Sequence, residues 1–143
     1  MSPAQVQTQA VQTKNLLGKI AVVTGGSRGI GAAIASRLAT EGATVVITYA
    51  KSKASADKVV ADIAAAGGKA IAVQANASST ADNQALVAQV TKHGKIDILV
   101  NNAGVFEGGS IEAVSIDQFE RVFDTNLRGV AVTTLAALPY MND

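Results

Sequence analysis

Cysteine is absent, and histidine occurs once, at His93. Disulfides and thiolate metal sites are therefore impossible, and a lone imidazole builds no histidine cluster, which sets metal-dependent mechanisms aside. Aromatics are scarce, at three phenylalanines and two tyrosines, and 12 Lys and Arg nearly balance 11 Asp and Glu for a formal net charge of +1. A chain with no basic cluster and few stacking platforms lacks the footprint of a nucleic-acid partner. No apolar run approaches the roughly 18 residues of a membrane helix. The segment Ser2 to Lys14 is polar and glutamine-rich with no apolar signal-peptide core, so no membrane partner and a cytoplasmic protein are expected. Without a signal peptide, the glycosylation spacing of Asn76-Ala77-Ser78 is only a loop sequence. What remains is 143 residues, 48% of them hydrophobic, which is room for one domain.

Past a flexible polar tail over residues 1–15, short apolar runs alternate with helical patterns. Strands are expected at Ile20 to Val23, Thr44 to Tyr49, Ala70 to Gln74 and Ile96 to Val100. Helices are expected at Ile30 to Thr40, Ser55 to Ala66 and Thr80 to Lys92, closed by Gly42, Gly67-Gly68 and Gly94. Strands separated by about 10–15 helical residues signal parallel βαβ units. The expected fold class is α/β, a Rossmann-like doubly wound parallel sheet truncated to about four strands in the order 3-2-1-4. Strand 4 would be an open edge, and Ile96-Asp97-Ile98-Leu99-Val100 is too apolar to face water, so something ought to pair with it. A last helix should start at the capping-box spacing Ser115 to Gln118, with Phe119, Val122, Phe123, Leu127 and Val130 at helical intervals, and end near Pro139.

Between the first strand and its helix lies Thr24-Gly25-Gly26-Ser27-Arg28-Gly29-Ile30-Gly31. Strand, glycine turn and helix N-terminus together make an anion site, because the first helical N–H groups lack intrahelical partners and the peptide dipoles add positive charge there. Gly25, Gly29 and Gly31 would permit the turn, the approach of a phosphate and close packing of the helix. Ala32 stands where a P-loop needs lysine, so NTP hydrolysis is not expected. Gly25 to Gly29 also reads Gly-x-Ser-x-Gly, but a nucleophile elbow requires an oxyanion loop from earlier chain, and only the tail precedes this strand. Nucleotide binding is the reading the turn supports.

Asn101-Asn102-Ala103-Gly104 follows strand 4 at the carboxyl end of the sheet, where open α/β sheets bind ligands. Together with the glycine turn and Asp124-Thr125-Asn126-Leu127-Arg128-Gly129, it resembles, in order and spacing, the short-chain dehydrogenase/reductase family. The ketoreductase branch of 3-oxoacyl-carrier-protein reductases and glucose dehydrogenases is the most similar. The resemblance runs from about Leu16 to the C-terminus and implies that residues 16–143 are an incomplete NADP-binding domain. It implies that Gly25, Ser27, Arg28, Gly29, Ile30 and Gly31 surround a pyrophosphate and adenosine ribose. It places Asn76 and Ala77 at the adenine, where the family usually has Asp-Val; the Asn76 amide oxygen would accept from the adenine amino group. Asn102, Ala103 and Gly104 would lie along the nicotinamide ribose, and Asn126 would anchor a proton-relay water as the catalytic residue present.

Cofactor choice follows from charge. NAD-type sites carry an acid at the end of strand 2, and none occurs between Glu41 and Asp57. Tyr49 and Lys51 stand there instead, with Arg28 in reach, so NADP(H) is expected in preference to NAD(H). The family's tyrosine, the lysine four residues later and the serine belong on strand 5 and its helix, past Asp143. Tyr49 and Lys53 have that spacing on the adenosine side and are not read as catalytic. The expected function is hydride transfer between NADP(H) and a small carbonyl or alcohol, with this chain inactive alone. The alternative is a non-catalytic dinucleotide-binding or strand-pairing module. A homo-oligomer through the last helix or strand 4 is expected.

Overall fold

The computed structural model describes residues 14–141, so most of the polar tail expected over 1–15 lies outside the described residues. Four parallel strands, β1 (Ile20–Val23), β2 (Thr44–Tyr49), β3 (Lys69–Gln74) and β4 (Ile98–Val100), form one sheet in the order β3-β2-β1-β4. Crossover helices α1 (Gly29–Thr40), α2 (Lys53–Ala65) and α3 (Thr80–Val90) connect them. This is the Rossmann-like arrangement the alternation predicts.

Strand side chains alternate between two cores, because successive residues point to opposite faces. Ala21, Val23, Val45 and Ile47 pack with Ala35, Ala39, Ala56 and Ile63 of α1 and α2. Ile20, Val22, Val46 and Val73 pack with Leu86, Val87 and Val90 of α3 and with Ala137. Both faces are covered, which is why β1 is buried throughout. Among the described residues no helix is long and apolar enough to cross a membrane.

Two expectations are corrected. The fourth strand is shorter than Ile96 to Val100, because the Asp97 carboxylate itself accepts the Ile20 N–H (2.8 Å) in place of a strand carbonyl. Just before β4, Ile96 donates to the Tyr140 carbonyl (2.9 Å) and forms an isolated parallel bridge with Met141, so the chain's own return meets the expected strand only at its first residue.

The last helix is not one helix. It comprises α4 (Ile116–Phe123), a π-helical turn at Asp124–Arg128 and α5 (Gly129–Ala137), with the Gly129 N–H reaching back five residues to the Asp124 carbonyl. Its first part is amphipathic, yet Ile116, Phe119, Phe123 and Leu127 are all exposed. The helical interval was visible in the sequence; the large side chains it lines up stay largely open to solvent, and Phe119 stacks on Phe123 at 5.7 Å.

Candidate functional site

Helices α2, α3 and α4 each start on a serine, Ser52, Ser79 and Ser115, whose oxygen accepts a first-turn N–H. Helix α1 starts differently. Its N-cap is Arg28, extended and without a side-chain cap bond, and its first turn holds no acid. The positive end of α1 is thus uncapped at the carboxyl edge of the sheet, an environment that favours an anion.

The glycines of the turn act in distinct ways. Gly25 and Gly29 have φ of 66° and 55°, left-handed values that side chains rarely adopt. Around Gly29 a methyl would meet open space, so only its backbone conformation matters. Gly31 is required by contact, since a methyl there would press on the Gly25 carbonyl oxygen and stand 2.5 Å from Asn102 Nδ2. Gly26, which motif reasoning passed over, leaves room for the Ile47 side chain, 2.6 Å from where its Cβ would be.

Hydrogen bonds lock the turn to β4 and β2. Asn102 Nδ2 donates to the Thr24 and Gly25 carbonyls at 3.0 and 3.1 Å. Thr24 Oγ1 accepts the N–H groups of Asn102 and Ala103, both at 3.0 Å. On the other side, the Gly25 N–H donates to Thr48 Oγ1 and the Gly26 N–H to the Thr48 carbonyl, each at 3.0 Å. Thr24 and Thr48, both buried, are the organisers that sequence reasoning missed. Their signal was slight: a threonine at the carboxyl end of each inner strand.

Asn126 lies in the π-helical turn and grips one residue beyond the Asn101 to Gly104 segment. Its Oδ1 accepts the Val105 N–H and its Nδ2 donates to the Val105 carbonyl, both at 2.8 Å. Two residues on, Glu107 accepts two bonds from Arg121, each 2.8 Å, and its carbonyl accepts from Gln118. The Arg121 hydrogen bond holds the Glu107 carboxyl below its ordinary pKa, and the same contact raises that of Arg121.

The remaining candidates are dispersed. Arg28 and Lys51 are exposed at the carboxyl edge, as are Ile30 and Gly104, while Ser27, Ala77 and Ala103 are half-buried. Tyr49, at the end of β2 as expected, is buried in the core. Lys53 pairs with Asp57 at 2.6 Å, and that hydrogen bond raises its pKa. The Asn76 oxygen already accepts from Ser78 N and Oγ at 3.0 and 2.8 Å, so the acceptor expected for adenine is occupied. Ser27 and His93 lie at opposite ends of the sheet, one after β1 and the other between α3 and β4, so Ser27 has no histidine base.

Sheet order, glycine turn and uncapped α1 together define a Rossmann-like doubly wound domain. The chain belongs to the short-chain dehydrogenase family, whose profile matches residues 19–143. An uncharacterized oxidoreductase of Methylorubrum extorquens is 54% identical over 129 residues, which are 90% of this chain and 52% of that protein. A 3-oxoacyl-[acyl-carrier-protein] reductase of Synechocystis is 43% identical over 88% of this chain and 51% of its own length. Among solved structures, a short chain dehydrogenase from Burkholderia cenocepacia in complex with NADP superposes with a TM-score of 0.87 at 47% identity. That match covers 90% of this chain and 53% of the other. The chain spans about half the length of the curated relatives it matches.

Proposed function

We propose that residues 16–143 build the cofactor half of an NADP(H)-dependent oxidoreductase that transfers hydride between the nicotinamide and a small carbonyl or alcohol. The observation that carries this is the uncapped N-terminus of α1 beneath a glycine turn locked on both sides. Gly25, Ser27, Gly29, Ile30 and Gly31 line the path of the pyrophosphate; Asn102, Ala103 and Gly104 continue it toward the nicotinamide. Asn76 meets the adenine through its Nδ2 donor, since its oxygen is engaged by Ser78, and Ala77 lies beside it. Asn126, whose side chain holds the Val105 loop, is the residue that anchors a proton-relay water in this reading. The dinucleotide supplies the hydride. The relatives named as oxidoreductases and the NADP-bound neighbour support this reading.

Preference for NADP(H) follows from Arg28 and Lys51, exposed cations, and from the absence of any acid between Glu41 and Asp57 in the sequence around the end of β2. A charge-assisted hydrogen bond to the 2′-phosphate contributes about 1.5–3 kcal/mol, about tenfold or more in affinity. Calorimetric titration is expected to show tighter binding of NADPH than NADH, with Arg28→Ala cutting the ratio about tenfold. Equal affinity for both dinucleotides in the unaltered chain sinks the preference, and no binding to either sinks the cofactor reading.

We further propose that the exposed apolar face of α4 and α5, with Phe119 58% and Leu135 68% exposed, is a contact surface between copies. Light scattering at tens of micromolar is expected to report species larger than a monomer, and Phe119→Glu to shift them toward monomer. A sharply monomeric unaltered chain rejects this.

A further inference from the structure

The loop after β3 is wired almost wholly to the first turn of α3. Asn76 N–H donates to Asp82 Oδ2 (2.8 Å), Ser79 N–H donates to the Asn76 carbonyl (2.9 Å), and Ser79 caps α3. The Ala77 carbonyl is the exception, because two helices converge on it. From α3, Asn83, only 2% exposed, donates Nδ2 to it at 2.9 Å. From α5, buried Gly129 lies against the same oxygen. A methyl at Gly129 would overlap that oxygen and stand 3.1 Å from the carbonyl carbon. Gly129 is also the residue at which α-helical bonding resumes after the π-helical turn, three positions beyond the Asn126 that grips Val105. One continuous helical segment therefore touches the loop after β3 and the loop after β4.

We infer that Gly129 and Asn83 are positioning residues for the adenine end of the cofactor. Neither touches the ligand; together they fix the Ala77 carbonyl, and with it the placement of Asn76 and Ala77. Gly129 does so by having no side chain, which lets α5 seat directly on the loop. Asn83 does so by pinning the carbonyl with a part-buried bond from a side chain that is itself buried. The π-helical turn adds a residue just before Gly129, rotating the helix so that Asn126 faces one loop and Gly129 the other. The inference rests on the cofactor reading above.

The test compares the unaltered chain with Gly129→Ala and Asn83→Leu, using NADPH and adenosine 2′,5′-bisphosphate as probes in calorimetry. Both variants are expected to weaken both probes by the same factor, about tenfold, because the loss belongs to the half the two ligands share. Amide exchange without ligand is expected to quicken at residues 76–79 in both variants while β1 and β2 keep their protection. A general loss of stability would quicken exchange in the strands as well. In the unaltered chain, the bisphosphate is expected to slow exchange at residues 76–79 and at 129. Unaltered affinity in a folded variant overturns the inference while leaving the cofactor reading intact. Failure of the unaltered chain to bind either probe overturns the cofactor reading itself. Should neither variant fold, the exchange experiment on the unaltered chain decides, and unchanged protection at 76–79 and 129 on binding overturns the inference.

Discussion

Gly31→Ala is expected to abolish measurable NADPH binding and to lower the thermal midpoint by roughly 10 °C. The added methyl has no flexible neighbour to push aside. On one side it meets the Gly25 carbonyl oxygen, on the other Asn102 Nδ2 at 2.5 Å. That nitrogen is already held by two carbonyls at 3.0 and 3.1 Å, so it cannot retreat without breaking both bonds. Overpacking of this kind costs about 1–3 kcal/mol, and each part-buried carbonyl left without its donor costs about 1–3 kcal/mol more. Either α1 lifts from the turn or Asn102 lets go, and both outcomes widen the cradle proposed for the pyrophosphate. Gly109→Ala is the control, since a methyl there meets nothing within 4 Å. Unchanged melting and unchanged titration for Gly31→Ala would show that the turn is not locked as described.

Asn102→Asp is expected to be worse than Asn102→Ala, although aspartate matches asparagine in shape. Alanine leaves the Thr24 and Gly25 carbonyls without their donor, at about 1–3 kcal/mol each. Aspartate removes the same donor and sets a carboxylate against two carbonyl oxygens, adding repulsion in a part-buried place. Thermal unfolding near neutral pH should rank the unaltered chain above the alanine variant and the alanine above the aspartate. Cofactor affinity should fall in the same order, because the turn loses its tie to β4. The reverse order of the two variants would mean that Asn102 fills space there and that its bonds carry little.

Most of the scaffold was legible in the sequence, for physical reasons visible in particular elements. Strands such as Ile20 to Val23 and Thr44 to Tyr49 are apolar runs buried on both faces, with glycine or polar residues at their ends. Gly42 and Gly67 directly follow the C-caps of α1 and α2, where turn chemistry is local. Distant side chains decided what could not be read. Asp97 shortened β4 by answering Ile20, a partner 77 residues away. The π-helical turn left the apolar intervals of the last helix nearly unchanged, so periodicity could not reveal it. Motif spacing singled out Asn102 and Asn126 but not the bonds they make, gave Thr24, Thr48 and Gly129 no role of their own, and was silent on Asn83. The occupied oxygen of Asn76 was a near miss, since the Ser78 that fills it lies only two residues on.

The two ties on the glycine turn differ greatly in reach. The bond from Gly25 to Thr48 spans 23 residues, whereas that from Asn102 to Thr24 spans 78. Since closure entropy grows with the logarithm of the span, the second tie costs about 1 kcal/mol more to close than the first. The turn can be half assembled by its own βαβ neighbour, but its second anchor has to await two further crossovers. The bracing of the turn is therefore a property of the whole sheet's topology and not of the eight-residue motif, and a peptide carrying that motif alone would have nothing to hold it in shape.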